Sequence, residues 1–201
     1  MNEIGAPPYP KPWPTGAMYD PELLANGDSR NVLDKYRYWS VEAIKADLDK
    51  SRNPLEIAIE NVSRDFNMGT IVRTANAFNI RKVHVIGRRQ WNKRGAMMTD
   101  VYMNIEYHES VEKFASVMRQ EGRTILAIDI IPGAKPLSEA GLPLRSVLVF
   151  GSEKDGVSND LQQVSDGIIH IEQFGSTRSV NVGVAAGIVM YEWARRNMLT
   201  R

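Results

Sequence analysis

The sequence predicts an α/β fold: a mostly parallel sheet with helices on both faces. Three observations carry this. From residue 55 onward, short apolar runs alternate with amphipathic stretches of helical spacing. The runs are apolar throughout, as strands covered on both sides are. The turns that follow them are polar and rich in glycine or serine, suited to a strand feeding a helix. With 201 residues, 43% of them hydrophobic, the chain is long enough for one domain with a real core plus a short arm.

The elements follow in order. Residues 1–30 carry Pro7, Pro8, Pro10, Pro12, Pro14 and Pro21, which withhold backbone donors, so a poorly ordered arm is expected. Ser40 caps a short helix whose Val41, Ile44 and Leu48 share a face. Residues 55–62 read as a buried strand. A helix over 68–78 presents Ile71, Val72, Ala75 and Phe78 at helical spacing. A strand over 82–87 precedes a helix over 110–122, capped by Ser110 and closed by Gly122. Strands follow at 124–130 and 146–151, then a short helix capped by Ser158 and running through Val164, and a strand at 167–172. An alanine-rich helix from Val180 to Met198 ends the pattern. The division is an arm with a short helix over 1–54 and a main domain over 55–201.

Composition excludes several classes. There are 0 cysteines, so disulfides, thiolate metal sites and cysteine nucleophiles are absent. No apolar run is long enough for a bilayer, and the first residues lack the apolar stretch of a signal peptide, so no membrane and a cytoplasmic location are expected. Asn61-Val62-Ser63 matches a glycosylation acceptor and reads as chance in that setting. A net charge of +1 gives no global argument for nucleic acid. His84, His108 and His170 are scattered along the chain and read as structural, and no cluster of metal-ligand spacing is visible.

Ligands of parallel sheets sit beyond the carboxyl ends of strands, so those ends matter most. After the first strand, Asn61 leads to Asn67-Met68-Gly69-Thr70-Ile71-Val72-Arg73-Thr74-Ala75, a polar loop entering a helix with Arg73 one turn in. A helix start with a nearby arginine suits a phosphate; a turn cap and a solvated arginine are the simpler reading. Phe150-Gly151-Ser152-Glu153-Lys154-Asp155-Gly156 brackets a carboxylate between glycines. Ser179-Val180-Asn181-Val182-Gly183-Val184-Ala185-Ala186-Gly187 opens the last helix with residues small enough for close packing. Neither a G-x-G-x-x-G nor a phosphate-loop fingerprint occurs.

These three stretches together resemble the motifs of the TrmH/SpoU-type RNA 2′-O-ribose methyltransferases of the SPOUT superfamily, in order and spacing, over roughly residues 55–197. The resemblance implies a C-terminal trefoil knot and a bent S-adenosylmethionine (AdoMet) held in it. Contacts would come from Gly151, Ile171 and Val180, with Ile128 and Ile130 nearby. It implies a homodimer in which RNA-binding residues of one subunit meet AdoMet of the other. The reaction implied is an in-line attack of a ribose 2′-oxygen on the sulfonium methyl, with no metal. Arg73 would clamp a phosphate and orient the hydroxyl, since its high pKa makes it a poor base. Asn61, Glu153, Ser179 and Asn181 would hold Arg73 and the ribose.

Candidate RNA contacts are local. Arg81-Lys82 and Arg88-Arg89-Gln90-Trp91-Asn92-Lys93-Arg94 set cations around an aromatic on the expected ligand side of a strand, suiting backbone contacts and base stacking, and Arg64 joins them from the first loop. The arm would then order on RNA or on a second subunit through Tyr9, Trp13 and Tyr19. Residues 30–39 are also basic and aromatic, and core packing explains those aromatics equally well. A separate N-terminal RNA-binding domain, common among rRNA-modifying members, has no counterpart here, which leaves tRNA and rRNA both open. Three other readings stand beside this one: a base-nitrogen methyltransferase of the same superfamily, a catalytically silent knotted RNA-binding protein, and an unrelated α/β enzyme using a nucleotide, against which the missing phosphate-binding fingerprints count.

Overall fold

The computed structural model describes residues 5–61, 67–152 and 155–199. The chain divides into two compact units, Met1–Ser51 and Arg52–Arg201.

The first unit corrects the expectation of disorder. Residues 5–30 have defined backbone, including helix α1 (Pro21–Asn26). Pro21 sits at the first helical position, where its missing N–H costs nothing. Asp20 caps the helix by accepting from Glu22 N at 2.8 Å and Leu23 N at 3.3 Å. The unit is organised around buried Asp28. Its carboxylate accepts from Tyr38 N at 2.9 Å and from the Arg30 guanidinium at 2.8 and 2.7 Å. Burial alone would raise the Asp28 pKa, but those bonds outweigh it and hold the carboxyl below its usual range. Tyr38 donates its hydroxyl to Pro7 O and meets Tyr9 edge-on at 5.3 Å, which fixes the proline-rich stretch. Helix α2 (Val41–Asp49) starts at Ser40, whose hydroxyl accepts from Ala43 N.

The second unit is a sheet with every pairing parallel. Its strands are β1 (Asn53–Asn61), β2 (Ile80–Gly87), β3 (Ile105–His108), β4 (Thr124–Ile128), β5 (Lys135–Pro136), β6 (Ser146–Phe150) and β7 (Gly167–His170). Their spatial order is β3-β2-β1-β6-β4-β7-β5. The sequence reading missed β3 and β5. The first is half-buried and polar at alternate positions, and the second is only two residues long.

Helices cover both faces. Helices α3 (Asn67–Ala77) and α6 (Val182–Asn197) lie over one, burying Ile71, Val72, Val189 and Trp193 against Leu55, Ile57 and Ile59 of β1. Helices α4 (Val111–Gln120) and α5 (Asn159–Val164) lie over the other, where Phe114, Met118 and Leu161 meet Ala58, Val147 and Val149. Strand alternation assigns each side chain to one core or the other, so a register slip would exchange them. Ser110 and Ser158 accept from backbone N–H groups three residues on, as their positions predict.

Candidate active site

A cavity of about 480 Å³ lies beyond the carboxyl ends of β4, β6 and β7, within the range of small-molecule pockets. Ile128, Ile130, Gly151, Ile171 and Val180 all line it, as do Ser179 and Asn181. The apolar walls would suit the faces of a nucleoside; polar groups are supplied by Asp129, Gln173 and Arg178. None of these three was singled out from sequence. Asp129 directly follows β4 and is a lone carboxylate in an apolar run of the sequence. Arg178 directly precedes the third motif. Nothing in the residue pattern marks Gln173.

Two backbone loops shape the cavity. Ser152 and Gly156 exchange hydrogen bonds at 3.1 and 3.0 Å, closing the loop after β6 on itself. A Cβ on Gly151 would lie 2.0 Å from Gly156 O, so only glycine fits there. Gly156 has φ +69°, and a Cβ on it would lie 2.3 Å from Asp129 Oδ2. That same oxygen accepts from Val157 N at 2.8 Å, and Asp129 Oδ1 accepts from Ile130 N at 2.7 Å. One carboxylate thereby joins the end of β4 to the end of the loop. Both polar atoms of the Gln173 side chain are buried without a partner among the described residues. Such a group is costly unless something satisfies it, and here it borders a cavity.

The first and third motifs meet where α3 and α6 begin. Asn181 caps α6, its Oδ1 accepting from Gly183 N at 3.0 Å and Val184 N at 3.2 Å, while its Nδ2 donates to Asn67 Oδ1 at 3.0 Å. A Cβ on Gly183 would press on Thr70 at 3.2 Å, and Gly187 faces Thr74. The small residues of α6 therefore permit the close helix contact read from sequence. Arg73 is exposed on α3 and does not line the cavity. Glu153 and Arg64 lie outside the described residues. Asn61 has a task that was not foreseen. Its buried amide donates to Arg88 O at 2.6 Å and Gln90 O at 3.0 Å, anchoring the basic loop, while its Oδ1 has no partner among the described residues.

Within that loop, Arg88, Arg89, Lys93 and Arg94 are exposed. They are not equivalent. Lys93 is paired with Asp100 at 2.7 Å, a bond that raises its pKa, and Arg89 lies 4.9 Å over the Tyr107 ring. The loop also runs against α3. A Cβ on Gly69 would lie 2.6 Å from Ala96 N, and one on Gly95 would lie 3.0 Å from Thr70 N.

The histidines need a correction. His84 and His108 are not scattered in space: adjacent strands bring them together beneath α4, with Nδ1 of the first 2.8 Å from Nε2 of the second. His84 Nε2 lies 2.9 Å from Glu56, which is ion-paired with buried Arg123 at 2.7 Å. Glu106 completes a group with metal-ligand spacing. Its carboxylate is bound by Lys82 at 2.6 Å and the two imidazoles bind each other, so the polar atoms serve an internal network. Burial, with the neighbouring His84 adding to it, holds the His108 pKa below its ordinary value.

Comparison with known proteins matches residues 54–191 to the SpoU rRNA Methylase family. The chain belongs to that family. Among relatives, a tRNA (guanosine(18)-2′-O)-methyltransferase of Thermus thermophilus is 28% identical over 155 residues, covering 74% of this chain and 79% of its own. The Escherichia coli K12 enzyme of the same name is 24% identical, covering 74% of this chain and 66% of its own. In structure, a TrmH/SpoU tRNA modifying enzyme of A. aeolicus superposes with a TM-score of 0.68 at 26% identity, covering 78% of this chain and 81% of its own. An AdoMet-bound rRNA methyltransferase from Sinorhizobium meliloti shares the fold, with a TM-score of 0.65 at 24% identity over 75% of this chain and 60% of its own. The SpoU match takes in all three motif loops and most of α6. No helix among the described residues is long and apolar enough to cross a membrane.

Proposed function

We propose that this chain transfers a methyl group from AdoMet to a ribose 2′-hydroxyl of tRNA or rRNA. The observation that carries this reading is the cavity beyond β4, β6 and β7, walled by the second and third motif loops and bordered by the unsatisfied Gln173 amide. Its residues fit a nucleoside cofactor: Ile128, Ile171 and Val180 would pack on the apolar faces, and Gln173 would bond a polar edge. Bound AdoMet supplies an electrophilic methyl on a sulfonium. The chain's own groups then orient the acceptor and shield it from water. Arg73 would hold the phosphate beside the target ribose and polarise its hydroxyl, with the proton leaving to phosphate or water. Ser179 and Asn181 would position the ribose, joined by Glu153. Asn61 would act through the basic loop it anchors. Arg88, Arg89 and Arg94 would meet the RNA backbone, and Lys93 and Arg64 would add to them.

The active form is a homodimer. Val184, Ile188 and Tyr191 stand exposed at helical spacing on α6, near the almost fully exposed Phe174, and a second copy would cover this apolar face. The C-terminal segment forms a trefoil knot; the crossed order β6-β4-β7-β5 supports that reading. Location is cytoplasmic and no metal takes part.

Calorimetric titration with AdoMet and S-adenosylhomocysteine, with mass measured on the same sample, tests the pocket and the dimer. Tritiated methyl transfer to tRNA and rRNA pools follows, with nuclease digestion and mass spectrometry to locate the methyl. Saturable binding and a 2′-O-methylnucleoside are expected. A methylated base would replace the ribose reading by the base-nitrogen one. RNA binding without AdoMet binding or transfer would leave a silent RNA-binding protein.

A further inference from the structure

Between the basic loop and β3 the backbone does something unusual. Met97 has φ 47° and Met98 has φ 63°, two successive non-glycine residues in the left-handed region. That conformation is strained for residues with a Cβ, and asparagine or glycine would adopt it more readily. Internal packing does not account for the methionines. Their relative exposures are 62% and 69%, and Val101 beyond them is 40% exposed, while Ala96, Thr99 and Asp100 around them are buried. The backbone there is firmly held. Met97 N donates to Arg94 O at 3.3 Å, Thr99 Oγ1 donates to Ala96 O at 2.7 Å, and the adjoining turn lies against α3 through Gly69 and Gly95. A rigid base thus presents three flexible or branched apolar side chains to the outside.

The setting of this tip says what it would meet. Arg94 adjoins it directly, and Arg88 and Arg89 extend the exposed cationic surface. A protein partner would need acidic groups to match those cations, whereas a nucleic acid offers phosphates beside apolar base faces. Methionine and similar side chains can enter between stacked bases and part them. The tip is also pinned to α3, the helix that carries Arg73.

We propose that Met97 and Met98, with Val101 beside them, form an apolar wedge that inserts against stacked bases of the RNA while the flanking arginines grip its backbone. This rests on the RNA reading above and adds to it a means of opening structured RNA at the ribose to be modified. In helical RNA the 2′-hydroxyl lies at the minor-groove edge but the ribose is held by its stacked neighbours; parting those bases frees it to turn the 2′-oxygen into line with the methyl.

The test is the double substitution M97N/M98N, since asparagine accepts the left-handed backbone and removes the apolar groups. Thermal unfolding should be unchanged or raised. Binding is measured by fluorescence anisotropy against an unmodified tRNA transcript and a short oligouridylate, over a range of salt, with mass determined for each variant. We expect tRNA affinity to fall at least about tenfold, oligouridylate affinity to hold, and the salt slope to stay as in the wild type. R88A/R89A should instead flatten the slope on both RNAs. Unchanged tRNA affinity in M97N/M98N overturns the wedge. So does equal loss on both RNAs with a flatter slope, which is electrostatic, or a changed oligomeric mass, which makes the tip a subunit contact. The readout is binding, so a wild-type chain that binds tRNA and methylates nothing fails the proposed activity while still reporting on the tip.

Discussion

Arg73 stands exposed on α3 outside the cavity beyond β4, β6 and β7, and this separation makes its role testable. Arg73→Ala should lower turnover by on the order of 10²-fold or more, as loss of an orienting group does. AdoMet affinity by calorimetry should stay within a small factor of wild type. Full activity would remove Arg73 from the chemistry. Gln173 makes the opposite prediction. Its amide borders the cavity with both polar atoms unsatisfied, so Gln173→Ala should weaken AdoMet binding by roughly 1–3 kcal/mol if the cofactor is their partner. An unchanged affinity would mean that the amide is satisfied some other way. The two residues also differ in legibility. Arg73 belongs to a spaced motif and is visible in the sequence, whereas Gln173 matters only because the fold buries it beside a void.

At the scale of elements, the loop after β6 works as a backbone cradle. Gly151→Ala would place a methyl 2.0 Å from Gly156 O, against the Gly156–Val157 peptide, with no side chain to move away. We expect lost AdoMet binding together with a stability loss of about 1–3 kcal/mol, read by calorimetry and by thermal unfolding. A variant of wild-type affinity would show that the loop is free to open. The basic loop after β2 gives a graded prediction. Each phosphate contact removed should reduce the salt slope by about 0.7–0.9. Arg94→Ala should show that reduction, while Lys93→Ala should show little of it because Lys93 is already bound to Asp100. Equal slopes for the two variants would mean that this ion pair yields to RNA. Charge was plain in the sequence, but which cation is free depends on Asp100 folding back against the loop.

At the scale of the molecule, the sheet separates an apolar core under α3 and α6 from one under α4 and α5 that holds the Glu56–His84–His108 network. The depressed pKa of His108 has a signed consequence. The folded chain binds fewer protons there than the unfolded chain, whose histidine titrates at about 6.5. This contribution to stability is whole above that pH and is lost as pH falls through it towards the folded value. Urea midpoints should therefore decline between about pH 7.5 and 5.5, and His108→Gln should flatten the decline. A decline of the same steepness in that variant would assign the effect to other groups.

The residue pattern was enough to give the α/β alternation, the caps at Ser40, Ser110 and Ser158, and the three motif loops. Each of these is local: an apolar period, a hydroxyl before a helix, or a glycine at a turn acts through a few neighbouring residues. The family resemblance also led to seven residues that the fold gathers around one cavity, because parallel strands place their ends together. Tertiary structure alone decided the rest. The proline-rich arm folds because Asp28 and Tyr38 supply partners that local pattern does not contain. His84 and His108 meet because strand pairing joins positions 24 residues apart. Asn61 reaches the carbonyls of Arg88 and Gln90, and Gln173 borders a cavity, for the same reason. Those contacts depend on strand order and register, which no local pattern of residues specifies.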